Sequence, residues 1–207
     1  MISFTKEDLN ILDKIISSRR DVRGNNFIDK KVSNKKLNII LESALKAPSV
    51  GYSQPWAFKI VRSKDEKNKI YKNFKRNYLK SFPKFENRPL YKKLKLEGIK
   101  ESSINIAVFY KKSNKEVLGQ TYMKRSGEYS VVCAIHNMWL TARVMGIGIG
   151  WVSIIKPKKV RKILKVSKEY KLIGYLCVGY TKNFLDQPEL KKVGWDKKKN
   201  LHDCILN

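Results

Sequence analysis

Apolar side chains recur along this chain with two different periods, and the alternation between them sets the order of its elements. After Thr5, whose hydroxyl suits a helix N-cap, Leu9, Leu12 and Ile16 fall on one face of a first helix that ends before "RRDVRG". Ser33 caps a second helix, in which Leu37, Ile40, Leu41, Ala44 and Leu45 follow the 3.6-residue repeat. It stops at "APSVGYSQPW", where Pro48 and Gly51 break the pattern. "AFKIVRS" (57–63) reads as a strand, and a polar helix follows over about 64–79. Residues 80–100 are basic, aromatic and irregular. Tyr78, Phe82, Phe85, Tyr91 and Leu94 are too unevenly spaced for one helix face, which predicts a mobile covering segment, a lid over a ligand, with a plain surface connection as the alternative.

The second half is more apolar. "INIAVFY" (104–110) and "LIGYLCVGY" (172–180) read as buried strands. "EYSVVCAIHNMWLTARVM" (128–145) is apolar nearly all round and too long for a strand, so it predicts a central buried helix. "GIGIGWVSII" turns out of that helix into another strand, with Gly146 as the helix C-cap, and a short basic helix begins at Pro157. Helices with interspersed strands and no repeat or long linker make one α+β or α/β domain over 1–207. "GIGIG" is not a dinucleotide-binding fingerprint, because its glycines follow a helix and precede a strand, the reverse of the order that sets a pyrophosphate on a helix N-terminus.

Composition adds one complication. Lys+Arg 45 against Asp+Glu 18 gives a net charge of +27, which points toward nucleic acid or anionic surfaces. The lysines are scattered through "KKSNK", "KPKKVRK", "KKKN" and "KNFKRNYLK" rather than gathered in one arm, so a solvated basic surface is the simpler expectation, with no specific nucleic-acid partner. The nucleic-acid alternative would show as steeply salt-dependent binding. Three distant cysteines, Cys133, Cys177 and Cys204, argue for a reducing compartment. Cys133 and His136 share a helix face but lack further ligands, so no metal is expected. With neither a signal-peptide core at the start nor a membrane-length apolar run, the expected location is the cytoplasm.

Candidate chemistry gathers in three loops, each where a regular element ends. "RRDVRG" offers Arg19, Arg20 and Arg23, cations suited to a phosphate, around one acid, Asp21. That acid is either a surface ion-pair partner or a functional group. "APSVGYSQPW" offers Ser49, Ser53 and Gln54 as hydrogen-bonding groups beside an aromatic and a proline. "GIGWVS" offers small residues that would let backbone N–H groups come close to a flat ligand. An anion at one end and a flat polar ring at the other outline flavin mononucleotide, FMN.

RRDVR, then APSVGxxQPW, then a buried helix ending in GIGxGWVS is an order that resembles the nitroreductase-type flavoproteins, and within them the 5,6-dimethylbenzimidazole synthases. The likeness runs from about 15 to about 200 and takes in "LKLEGI" (94–99), "YSVVCAIHNMWLTAR" (129–143), "YLCVGY" (175–180) and "PELKKVGW" (188–195). Asp21 and Tyr52 stand where ordinary nitroreductases have a small residue and commonly an asparagine, and both departures point to the synthases.

The resemblance implies a central, mainly antiparallel sheet flanked by helices, in an intertwined homodimer. It implies that reduced FMN is the substrate, fragmented with molecular oxygen to 5,6-dimethylbenzimidazole, the lower ligand of vitamin B12, and a four-carbon sugar phosphate. NAD(P)H would enter only through a flavin reductase acting as a transient partner. FMN contacts are implied for Arg19, Arg20, Asp21, Val22 and Arg23, then for Ser49, Gly51 and Gln54. Gly150, Trp151 and Ser153 complete the set with Lys198, which stands where an arginine is more familiar. Asp21 would be the catalytic acid/base, with Ser153 approaching the ring from the other side. The nearest alternative is an FMN-dependent NAD(P)H oxidoreductase of nitroreductase or dehalogenase type, in which the flavin is retained.

Overall fold

In the computed structural model, which describes residues 2–206, three of the four strands divide their side chains between two cores, and the fourth, β3, has glycines on one side. The strands are β1 (Trp56–Val61), β2 (Ile104–Lys111), β3 (Ile147–Trp151) and β4 (Tyr170–Tyr180). They form one antiparallel sheet in the order β1-β2-β4-β3. On β2, Ile104, Ile106 and Val108 point to one side, and Ala107 and Phe109 to the other, as the two-residue period of a pleated strand requires. β2 and β4 are central and buried on both faces, which is why they read as nearly continuous apolar runs, broken in β2 by the buried Asn105.

The first face is covered by α2 (Asn34–Leu45) and α4 (Ser126–Val144). Leu37, Ile40 and Ala44 of α2 meet Ala134, Ile135 and Met138 of α4 over the sheet. Each of the larger side chains contributes about 1.5–3 kcal/mol by leaving water. The other face is covered by α3 (Lys64–Ser81) and α5 (Pro157–Ile163), through Ile70, Phe74, Val160 and Leu164. Helix starts follow the expected chemistry. Thr5 makes a reciprocal capping box with Asp8 at α1 (Lys6–Ser18), and Ser33 and Ser63 cap α2 and α3. Gly146, at φ +70°, takes the left-handed position after α4.

Three expectations are corrected. The helix expected to be buried all round is buried on one face only, because α4 has covering layers on one side: Tyr129, Val132, Cys133 and His136 are exposed. α1 likewise forms where predicted, but it has no buried residue, and Leu9, Leu12 and Ile16 are 48–64% exposed. The aromatic residues near 80 are more regular than their spacing suggested. Tyr71, Phe74, Tyr78 and Phe82 step along α3 at intervals of three and four, with successive ring centres 6.5, 5.6 and 5.0 Å apart. Beyond them, 82–85 and 89–93 are short 3-10 turns rather than formless loop.

Candidate active site

Asp21 is placed by the outer edge of β3. The chain leaving α1 turns extended at Arg19 and runs beside β3, where the Val22 N–H donates to the Ile149 carbonyl (3.0 Å). This approach is possible only because β3 carries glycines. A Cβ on Gly150 would lie 2.0 Å from the Val22 carbonyl oxygen, and one on Gly148 would lie 2.7 Å from the Val22 side chain. The small residues expected to admit a flat ligand therefore admit the protein's own chain, and Val22 is a core residue.

So seated, Asp21 accepts the Trp151 N–H on Oδ1 (2.9 Å) and pairs through Oδ2 with Arg23. Its side chain remains 31% exposed. Burial nonetheless raises its pKa above the ordinary carboxylate value, against Arg23, the Trp151 N–H and Arg19, which all pull downward. A carboxyl held between two cations yet made reluctant to ionise can hold or release a proton within hydrogen-bond reach of a ligand.

The arginines have separate tasks. The Arg19 guanidinium lies over the Trp139 ring, 4.9 Å from its centre, a contact that leaves its N–H donors for an anion. Trp139 also donates from Nε1 to the Arg20 carbonyl (3.1 Å) and stands beside Trp151, ring centres 6.4 Å apart. Arg20, expected to bind phosphate, is instead engaged with backbone carbonyls: Ser17 and Arg19 (2.7 Å each), Leu185 (2.9 Å) and Asp186. Arg23, besides pairing with Asp21, donates to the Leu96 carbonyl (3.1 Å). The four residues 19, 20, 21 and 23 line a pocket of about 130 Å³ whose far wall is Pro188, Glu189 and Leu190. Burial pushes the Glu189 carboxyl above its ordinary range, with Arg23 pulling down and Asp21 pushing up. Neither Glu189 nor Trp139 was singled out from the sequence. For Glu189 the available signal is the "PEL" stretch that opens α6 (Glu189–Lys192), part of the family resemblance.

The second loop lies elsewhere. Gly51, Tyr52 and Gln54 all have positive φ, and the turn is braced by Gln54 N–H to Ser49 Oγ (3.1 Å) and Val50 N–H to Ser130 Oγ (3.1 Å). Gly51 and Gln54 line a cleft of about 660 Å³ with Tyr110 and residues 111–118. That cleft adjoins β1, at the opposite edge of the sheet from Asp21, and four strands place the edges about 14 Å apart. Ser153 is exposed, two residues past the end of β3. Lys198 is exposed beside Trp195 and Lys197, in a further depression. One chain therefore joins the first and third loops, with Pro48 of the second beside Trp151, while Gly51 and Gln54 face the other cleft.

Comparison with known proteins now bears on this geometry. Residues 16–180 match the Nitroreductase family. The chain belongs to the nitroreductase family. Among its nitroreductase relatives is a 5,6-dimethylbenzimidazole synthase of Rhodospirillum rubrum, 36% identical over 192 residues, which are 91% of this chain and 90% of the relative. Two solved structures share the nitroreductase fold. Oxidized iodotyrosine deiodinase bound to FMN and 3-iodo-L-tyrosine superposes with a TM-score of 0.72 at 24% identity, over 85% of this chain and 92% of its own. A BluB-like flavoprotein from Clostridium difficile 630 gives 0.70 at 19% identity, over 95% and 98%.

The donor set fits FMN in two parts. Arg19 and Arg23 suit its anionic end. Next to Arg19, Trp139 and Trp151 line a mostly apolar groove of about 450 Å³ with Pro48 and Val132, suited to a flat ring. Among the described residues, no group of three or more His, Cys, Asp or Glu is placed to hold a metal ion, and no helix is long and apolar enough to cross a membrane.

Proposed function

We propose that this chain is a 5,6-dimethylbenzimidazole synthase, consuming reduced FMN and molecular oxygen to release 5,6-dimethylbenzimidazole and a four-carbon sugar phosphate. The observation that carries the reading is Asp21. A carboxyl among the cations of an anion pocket repels a phosphate, so its presence there favours a proton-transfer role over binding. An enzyme that breaks the flavin has to move protons beside the ring. Likeness to the Rhodospirillum rubrum synthase over nine-tenths of both chains supports the same substrate.

In this reading Arg19 holds the phosphate, steadied by Trp139. Arg23 and the Trp151 N–H fix the Asp21 carboxyl in place for proton transfer, and burial raises its proton affinity above that of an ordinary aspartate. Reduced FMN supplies the electrons and the atoms of the product, and oxygen is the oxidant. Ser153 approaches from the end of β3. Reduced FMN comes from a separate reductase that spends NAD(P)H, and a reducing cytoplasm suits both that supply and the three free cysteines.

The working unit is a homodimer. Leu9, Leu12 and Ile16 of α1, and Tyr129 and Val132 of α4, form apolar faces that a monomer leaves in water. A second copy covers them and brings its own Ser49, Gly51 and Gln54 across to the arginine pocket, which accounts for the separation of these loops within one chain.

The test is incubation with FMN, a flavin reductase, NADH and air, followed by chromatography for 5,6-dimethylbenzimidazole. Wild type should form it. Asp21→Asn should bind FMN, let the reduced flavin oxidise, and form product roughly 10²–10⁴-fold more slowly. A protein purified yellow that turns over NAD(P)H without consuming flavin would overturn the reading in favour of an FMN-dependent oxidoreductase.

A further inference from the structure

Two segments outside the sheet meet at the wall of the arginine pocket. Residues 82–94 leave α3 as 3-10 turns, and residues 185–195 follow β4 through α6. Each is gripped at its root by an arginine of "RRDVRG". Arg23 donates to the Leu96 carbonyl (3.1 Å), and Arg20 donates to those of Leu185 (2.9 Å) and Asp186. At their far ends the segments grip each other. The Arg88 guanidinium lies over the Trp195 indole, 3.6 Å from the ring centre, and donates to the Trp195 carbonyl. Trp195 also meets Phe85 and Tyr91, ring centres 6.0 and 6.1 Å away. Its backbone N–H donates to the Leu190 carbonyl (2.8 Å), beside Glu189 in the pocket wall.

This contact is not demanded by the core. Arg88 is exposed. The first segment is already anchored by buried Tyr91, whose carbonyl accepts the Tyr78 hydroxyl (2.6 Å) and whose own hydroxyl meets Ser81 (2.7 Å). Meanwhile the pocket, at about 130 Å³, is well below the roughly 300–1,000 Å³ of ordinary ligand sites. What it can hold is the anionic end of FMN, with the ring in the neighbouring Trp139 and Trp151 groove, so its walls set how firmly that end is kept. Pro188, Glu189 and Leu190 are the wall not built on the sheet.

We propose that residues 82–94 and 185–195 open and close as one unit, latched by Arg88 on Trp195, and that this latch sets how long the flavin is retained. The proposal rests on reading the pocket as the flavin site, and it deepens that reading: reduced FMN that escapes is oxidised in solution instead of fragmented. Arg20 and Arg23 are then the hinges that tie both segments to the chain carrying Asp21.

Two measurements on the full chain test it: the rate of FMN release, followed by flavin fluorescence after dilution into a flavin scavenger, and the 5,6-dimethylbenzimidazole formed per reduced FMN consumed. Arg88→Ala removes a cation–π contact and a charge-assisted hydrogen bond, and should release FMN about ten- to a hundredfold faster. Product per flavin should fall while the melting temperature changes little. Trp195→Leu should do the same, and Arg88→Lys, which keeps the charge but not the planar fork, should fall between. Wild-type release rates in Arg88→Ala and Trp195→Leu would overturn the latch. So would an Arg88→Ala protein that fails to fold while Arg88→Lys folds with wild-type release. Faster release in the variants, with no 5,6-dimethylbenzimidazole even from wild type, would leave the latch standing and overturn the synthase reading.

Discussion

Gly150→Ala isolates the reason for the glycines of "GIGIG". A Cβ there would stand 2.0 Å from the Val22 carbonyl oxygen, and 3.0 Å is already closer than real Cβ atoms come, so one of the two strands has to move by at least an ångström. β3 is locked into β4 by five paired residues, so it is the 21–22 segment that gives way. That costs the Val22 N–H to Ile149 bond, about 1 kcal/mol, and the charge-assisted bond from the Trp151 N–H to Asp21, about 1.5–3 kcal/mol. Partial exposure of the buried Val22 adds to this, for a total of about 3–5 kcal/mol. For a chain of this size that lowers the melting temperature by about 10 °C. Thermal unfolding followed by circular dichroism, paired with an FMN titration, reads both consequences. Gly146→Ala is the control, since a Cβ there meets nothing and only the left-handed backbone at φ +70° is strained, at a cost of about 1 kcal/mol. Wild-type melting in Gly150→Ala, with FMN affinity lost, would refute the argument and show that the glycine makes room for ligand rather than for Val22.

Other outcomes follow from the same contacts. Arg19→Ala should weaken FMN binding by about 1.5–3 kcal/mol with little loss of stability, whereas Arg20→Ala should lower the melting temperature more than the affinity, because its donors hold backbone carbonyls; titration and melting of the two variants side by side decide this. Folding raises the proton affinity of Asp21, so native stability is greatest below its ordinary value and declines as pH rises toward the raised one. Asp21→Asn lacks that decline, and melts at constant ionic strength should shift in the variant's favour as pH rises from the ordinary aspartate value toward the raised one; a shift the other way would mean that Arg23 outweighs burial. Leu12→Glu and Val132→Glu should each convert a dimer to a monomer by light scattering and abolish product formation, since the apolar faces and the second loop then lose their partner.

Local sequence determined the elements. Caps at Thr5, Ser33 and Ser63, the helical repeat of Leu37, Ile40 and Ala44, and the apolar runs of β2 and β4 depend on neighbours three or four residues away, or on burial that every residue of a run shares. The chemistry of the site was legible for the same reason: arginines flanking one acid within five residues announce an anion wherever the fold puts them. Which arginine does what was decided only in three dimensions. Arg20 differs from Arg19 because Leu185 and Asp186, some 165 residues onward, come within its reach, and Trp139 comes within Arg19's. The same holds for the glycines of β3, whose meaning lies in Val22 crossing them. It holds for Asp21, whose raised pKa comes from surroundings gathered from distant parts of the chain. Apolar residues mark α1 and α4 in the sequence; whether a layer of this chain covers them is a property of the packed fold, which leaves α1 without a buried residue and covers α4 on one face only.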